Sequence, residues 1–422
     1  LLLADGGAVL AAAIGGAAWA LTGGGKPGPH PGPTPQPTGS GGSPSPVPSP
    51  TASRPPGVAP QPVWSHRMEH SGVGGTTPLC VGDVVLLYGV GNVVAVNLQD
   101  GGPRWSKPEE GAIGVGAAAG SIAYDGNDLV SVDPSSGGVR WKYTPRTGPG
   151  VPARIDASTV LAADEHAVYA LCSYRPLTAD GEPDLEAKST PGIFALSRAD
   201  GSVLWDQHRK DGADTSGVSA VLAGDLLLYT DSQQNLVARS TAHGDQRWFV
   251  DTDSHGVYLP VTDGERLYCS AGGGGLQAIT LATTKQAWVK SRPPGSKDLW
   301  YSAPTVSDGV VYTVLGGTTM TQYGATPSAG PTVIAYAAGD GQELWRLPLP
   351  NECSMDASPI VVQDTLFVST DTQGVYAIDL KAHKLRWIFV NGVSSGVPWQ
   401  FATDGHLLIA AQDDRVYALP PV

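Results

Sequence analysis

The sequence predicts an all-β fold, an eight-bladed β-propeller of four-stranded antiparallel blades, and three observations predict it. Tryptophan recurs at one place in an internal repeat, as Trp64, Trp105, Trp141, Trp205, Trp248, Trp288, Trp345 and Trp387. Most intervals are about 40 residues, the length of a four-stranded blade. In seven of the eight, a small residue stands ten positions earlier: Ala95, Ser131, Ala195, Ala238, Ala278, Ala335 and Ala377. The chain also ends in a partial repeat, RVYALPPV (415–422), which stops short of its tryptophan, while Trp64 lacks the strand that should precede it.

Three regions follow in order. Residues 1–22 hold an uncharged apolar run, GGAVLAAAIGGAAWALT (6–22), which reads as a membrane anchor or a signal-like segment. Its 17 residues meet the lower limit for a spanning helix, about 17. Residues 23–61 form a linker rich in Pro, Gly and Ser. Fourteen prolines lie between Gly23 and Pro62. A segment so poor in large apolar side chains buries no core and stays extended, reaching on the order of 100 Å at about 3.1 Å per residue. Residues 62–422 carry the repeats and form the propeller.

The clearest repeats are 93–105, 193–205, 333–345 and 375–387. Each gives an alternating apolar strand, a turn and a short strand containing Trp, the pattern of a β-hairpin. Asp100-Gly101, Asp200-Gly201 and Asp340-Gly341 supply turn residues that tolerate positive φ. The copies ending at Trp288 and Trp387 lack that glycine, so those two turns are expected to differ in detail. Two more β-rich runs precede each hairpin, as in 303–316 and 357–370, which makes four strands per blade. Pairing Pro62-Val63-Trp64 with Val416–Leu419 would complete an eighth blade from both termini and hide two sheet edges.

A family resemblance rests on these same residues. Ala95, Asn97, Asp100-Gly101 and Trp105, repeated as Ser131, Asp133, Ser136-Gly137 and Trp141, resemble the A-x-D-x-x-T-G-x-x-x-W docking motif of the pyrroloquinoline-quinone-like (PQQ-like) repeat. The resemblance spans about residues 62–422. It implies that all eight repeat tryptophans dock between blades as structural residues. It does not extend to a quinone site. The quinone dehydrogenases use a disulfide of adjacent cysteines and a calcium held by Glu, Asn and Asp. Here no two of Cys80, Cys172, Cys269 and Cys353 are adjacent. No cofactor is therefore expected, and a PQQ-dependent dehydrogenase ranks last among the readings.

The leader, linker and propeller together resemble the C-terminal half of transmembrane serine/threonine protein kinases of high-GC Gram-positive bacteria. That likeness implies the extracellular sensor of a membrane-anchored kinase. No glycine-rich phosphate loop, H-R-D or D-F-G lies in these residues, so any kinase activity would belong to another segment. The alternative is a secreted or membrane-tethered scaffold similar to the propeller lipoprotein of outer-membrane assembly, although no Cys follows the apolar run. The expected localisation is the cell membrane with an extracellular propeller, or else secretion. The expected partner is a small ligand, a cell-wall fragment or a protein.

Net charge is −13, which argues against nucleic acid, because phosphate neutralisation needs a basic surface. The densest carboxylate cluster is Asp180, Glu182, Asp184 and Glu186, inside an insertion between Cys172 and Ile193. Its oxygen spacing makes Asp180, Glu182 and Asp184 weak metal candidates, though the twelve-residue EF-hand pattern is absent. A second insertion, Gly316–Pro331, is rich in Thr, Gly and Ser. The histidines are scattered and no H-E-x-x-H or G-x-S-x-G is present, so no catalytic residue is assigned. A catalytic set assembled from separate blades stays open as a third class. Aligning the repeats puts Arg154, Tyr258, Trp300-Tyr301, Met355-Asp356 and Trp399-Gln400 at the mouth of the central channel. There the aromatic and polar groups are ligand-binding candidates.

Overall fold

In the computed structural model, the described residues are 57–69, 77–89, 92–108, 117–118, 121–123, 129–184, 186–209, 220–231, 235–251, 258–271, 275–294, 299–316, 318–321, 324–327, 331–350, 359–369, 374–392 and 398–422. The apolar run 6–22 and the linker up to residue 56 lie outside them.

Seven blades, not the expected eight, are each folded from one stretch of chain: 77–108, 117–143, 153–208, 220–250, 258–290, 300–348 and 360–389, here numbered 1 to 7. The last repeat has no outer strand of its own. It contributes Gln400–Thr403, Leu408–Gln412 and Arg415–Leu419 to a composite closing sheet whose outer strand is Trp64–Arg67. The register there is Trp64 opposite Ala418 and Arg67 opposite Arg415.

Nor are the blades uniformly four-stranded and antiparallel. Blade 7 carries a fifth strand, Gly57–Val58, added in parallel to its outer edge beside Trp387 and Ile388. Hydrogen bonding thus begins ahead of the boundary expected at residue 62. In blade 6 the innermost strand is split into Trp300–Tyr301 and Thr305–Ser307. The split falls at Ser302, whose hydroxyl accepts the Val314 N–H at 3.0 Å. A side chain there takes over a bond that a regular ladder would give to backbone.

Burial explains the two kinds of strand. Central strands are packed between neighbouring blades and are mostly apolar: Leu226–Thr230, Thr365–Ser369 and Val375–Asp379 are buried along nearly their whole length. Outer strands alternate, as in Val139–Tyr143, where Trp141 and Tyr143 are buried and their neighbours exposed.

The tryptophan repeat has a cross-strand cause. Trp105, Trp141, Trp205, Trp248, Trp288, Trp345 and Trp387 sit opposite Ala95, Ser131, Ala195, Ala238, Ala278, Ala335 and Ala377. A small partner leaves room for the indole to leave its own sheet. Trp64 finds its small partner, Ala418, at the other end of the chain.

Each indole then docks on the hairpin of the next blade. The Trp141 N–H donates to the Arg198 carbonyl at 2.8 Å. In the same way Trp64 bonds Leu98, Trp105 bonds Pro134, Trp205 bonds Thr241 and Trp288 bonds Ala338. Each of these rings lies on the turn glycine three residues after its acceptor. At Gly201 (φ 73) a Cβ would fall 2.6 Å from the Trp141 ring, so the turn conformation favours glycine and the close approach requires it. Trp387 instead donates to Val422, while the Thr365 hydroxyl and the Arg386 guanidinium bond the Pro421 carbonyl at 2.6 and 2.8 Å. Residues 421 and 422 thus stand in for the turn that the closing sheet lacks.

The two turns without glycine keep the same backbone and differ only in detail. Thr284 (φ 57) and His383 (φ 53) adopt the left-handed conformation. Their N–H groups donate to Thr280 and Asp379, each at 2.8 Å, as Gly101 donates to Asn97. The difference lies in the side chains: the His383 ring stacks on Trp345 at 4.8 Å and 18°. Among the described residues, no carbonyl accepts the indole N–H of Trp248 or Trp345.

Candidate functional site

One end of the propeller gathers the loops that lead into the innermost strands and the loops between second and third strands. Both insertions leave from this end. In blade 3 the insertion follows Ala167–Pro176 and in blade 6 it follows Val310–Gly316, where it contains the hairpin Thr318–Thr321 with Gly324–Pro327.

The blade 3 insertion folds back over the loop leading into that blade's innermost strand. Gly181 is buried against the backbone of Gly148, and the Leu177 N–H reaches the Pro152 carbonyl at 3.4 Å. Its carboxylates serve the loop itself. Asp184 accepts the N–H groups of Glu186 and Ala187 at 3.0 and 3.2 Å, while Asp180 and Glu182 point to solvent. Among the described residues, no group of three His, Cys, Asp or Glu side chains is placed to hold a metal ion.

The mouth candidates fall into different environments. Trp300 is 46% exposed, with the Arg292 guanidinium 5.0 Å from its ring centroid. Tyr301 is buried, its hydroxyl 3.0 Å from that of Tyr336, and burial raises its pKa. Trp399 is wholly buried, packed edge-on by Phe389 and beside Tyr417, and among the described residues its indole N–H has no hydrogen-bond partner. Gln400 opens the innermost strand of the closing sheet. The Tyr258 backbone pairs with Ser270, but its side chain lies outside the described residues, as do Met355 and Asp356.

Arg154 belongs to the most organised cluster. It stands on the innermost strand of blade 3, Ala153–Ala163, directly opposite Arg175 of the second strand. Between them Asp156 is 2% exposed. Its two oxygens accept from Arg154 Nε at 2.5 Å and Arg175 Nε at 3.1 Å. Sequence reasoning missed Arg175 and Asp156. The available signal was the alternation Arg154-Ile155-Asp156 on an innermost strand, where charge has no packing role.

Blade 3 continues this polar character outward. The Tyr174 hydroxyl donates to Asp206 at 2.7 Å, and its ring stacks on His208 at 3.8 Å. Burial, then the Asp206 carboxylate, pushes the Tyr174 pKa far above its ordinary value, so it remains a donor. In blade 4 the buried Arg239 donates to the Tyr229 hydroxyl at 3.0 Å and the Gly244 carbonyl at 2.8 Å. Cys80, Cys172 and Cys269 are free thiols. Burial pushes Cys80 and Cys269 to about 12, so these groups stay protonated and unreactive. Cys353 lies outside the described residues.

Solved structures share the fold. BamB from Moraxella catarrhalis aligns with a TM-score of 0.55 at 15% identity, covering 85% of this chain and 99% of that one. A computationally designed protein, Ika8, aligns at 0.59 and 12%, covering 86% and 100%. Quinohemoprotein alcohol dehydrogenase from Comamonas testosteroni aligns at 0.56 and 11%, covering 86% and 76%. Identities this low establish architecture alone. In sequence, outer membrane protein assembly factor BamB from Alkalilimnicola ehrlichii is 28% identical over 229 residues, 49% of this chain. The chain spans about half of that curated relative, 51% of its length. The profile of the PQQ_2 family, described as outer membrane protein assembly factor BamB, matches residues 59–179 and 191–419. With these two segments spanning most of the propeller, the chain belongs to this PQQ-repeat family.

Proposed function

We propose that this propeller is a protein-binding scaffold that holds a partner polypeptide at the mouth face built by blades 3 and 6. The observation that carries this reading is the family match over residues 59–179 and 191–419, to a profile described as an assembly factor. Two insertions, an exposed Trp300 and the Arg154 cluster all lie on that face, where propeller loops meet their partners. The apolar run 6–22 and the linker behind it favour a tethered, extracytoplasmic form of the scaffold. That arrangement also suits the sensor half of a receptor kinase, a second reading that the family match supports less well.

A quinone enzyme does not suit the residues present. The adjacent cysteines of that site have no counterpart in the sequence, and no metal-holding set occurs among the described residues.

Site-specific photo-crosslinking in intact cells tests the scaffold reading. With the full chain, a crosslinker at Trp300 or Asp180 is expected to capture one defined polypeptide. A crosslinker at Asp100, in a hairpin turn at the opposite end, is expected to capture none. Equal capture from both ends, or none from the mouth, overturns the assignment.

A further inference from the structure

We propose that Arg154 and Arg175, held by Asp156, form an anion-recognition site at the propeller mouth that takes a carboxylate of an acidic peptide segment. Two like charges directly opposite on adjacent antiparallel strands are destabilising in themselves. Arg154 and Arg175 occupy that register. A single arginine would neutralise Asp156, yet two converge on it, which leaves the cluster with one net positive charge inside a chain of net −13. The second guanidinium is surplus to the ion pair.

The way the pair is held favours recognition. Both guanidiniums give their Nε–H to Asp156, and among the described residues those are the polar contacts they make. Among the described residues no acceptor bonds their terminal Nη groups, and the two side chains are 28% and 38% exposed. An Nε anchor fixes the plane of each guanidinium and turns its outer donors to one side, the preorganised fork that matches a carboxylate. Asp156 is itself 2% exposed and on the innermost strand, so the anchor is rigid. The blade 3 insertion walls one side of the site, through the Leu177 bond to Pro152 and the packing of Gly181 on Gly148. An acidic peptide is the occupant because the surrounding face is read as a protein-binding surface, and the choice of peptide rests on that reading.

The test is an NMR titration of the full chain, following the Arg154 and Arg175 Nε–H resonances. The probes are N-acetyl-triglutamate amide, its triglutamine counterpart and inorganic phosphate. Saturable shifts are expected with triglutamate and none with triglutamine. Arg154→Lys and Arg175→Lys keep the charge but lose the fork, and each is expected to weaken binding about tenfold or more. Asp156→Asn adds positive charge yet releases the anchor, and is also expected to weaken binding. Thermal unfolding of each variant checks its fold, and the two lysine variants carry the test if Asp156→Asn does not fold. Equal shifts with triglutamine, full affinity in both lysine variants, or tighter binding by Asp156→Asn overturns the site. Tighter binding of phosphate than of triglutamate overturns the peptide assignment. Mouth crosslinks that persist in Arg175→Lys, alongside a failed titration, would sink this site and leave the scaffold reading standing.

Discussion

The seam between blades 2 and 3 and the seam between blades 6 and 7 use the same turn and hold together differently. At the first, Trp141 lies flat on Gly201 and donates to Arg198. At the second, His383 occupies the glycine position, Trp345 stacks on its imidazole, and the indole N–H gains no acceptor. At the seam between blades 4 and 5, Thr284 likewise takes the glycine position of the turn, and among the described residues the Trp248 indole N–H has no acceptor. A Cβ at the turn stands where the indole would lie, so the ring retreats and loses its hydrogen bond. Such a bond is worth about 1 kcal/mol when formed. The left-handed conformation costs a non-glycine residue about 1–2 kcal/mol more. Two seams of the ring are therefore weaker than the five glycine seams, for a reason local to one residue each.

The sharpest way to break that comparison is to convert a glycine seam. Gly201→Ala adds a Cβ 2.6 Å from the Trp141 ring and imposes φ 73 on alanine. Backbone strain of about 1–2 kcal/mol and overpacking of about 1–3 kcal/mol give an expected loss of about 3 kcal/mol. Urea unfolding followed by tryptophan fluorescence would measure it, and a loss below about 1 kcal/mol would contradict the account. A smaller contrast follows for the indoles themselves. Trp205→Phe removes a buried ring edge and the bond to Thr241, an expected loss of about 2 kcal/mol. Trp345→Phe removes no hydrogen bond and should cost about half as much. Equal losses in the two variants would mean that the indole bonds add nothing.

How much of this was legible beforehand depends on sequence distance. The blades follow from tryptophan spacing and turn chemistry, because a hairpin places Ala195 opposite Trp205 by local geometry alone. The composite closing sheet could be anticipated from the missing half-repeats. The strand Gly57–Val58 could not, since nothing in two residues of a proline-rich stretch specifies an edge 330 residues away. Arg154 emerged from repeat alignment, but Arg175 is its partner only through strand register, and Asp156 only through burial. Trp399 shows the converse. Repeat alignment made it a ligand candidate at the channel mouth without saying whether it is packed or open, and tertiary packing buries it with Phe389 and Tyr417. The turns at Thr284 and His383 were expected to differ in detail from the others. Backbone hydrogen bonding within the hairpin proved strong enough to hold both residues at positive φ.

The smallest expected effect runs in the opposite direction and so discriminates best. Thr284→Gly removes a β-branched residue from φ 57, relieving about 1–2 kcal/mol of strain. It forfeits the exposed Thr284 hydroxyl bond to the Thr283 carbonyl, and glycine gains freedom in the unfolded chain worth about 0.5–1 kcal/mol. The expected balance is a stabilisation of about 1 kcal/mol, provided that Trp248 can settle on the turn as Trp141 does on Gly201. That proviso has its own readout. Docked on the turn, Trp248 would donate to Leu281, three residues before position 284, as the other indoles do, and its N–H would exchange more slowly with solvent. Stabilisation together with slowed indole exchange would tie the weak seam to the one side chain at its turn. Stabilisation without slowed exchange would assign the gain to backbone strain alone, and a loss of stability would refute the steric origin of the difference between the seams.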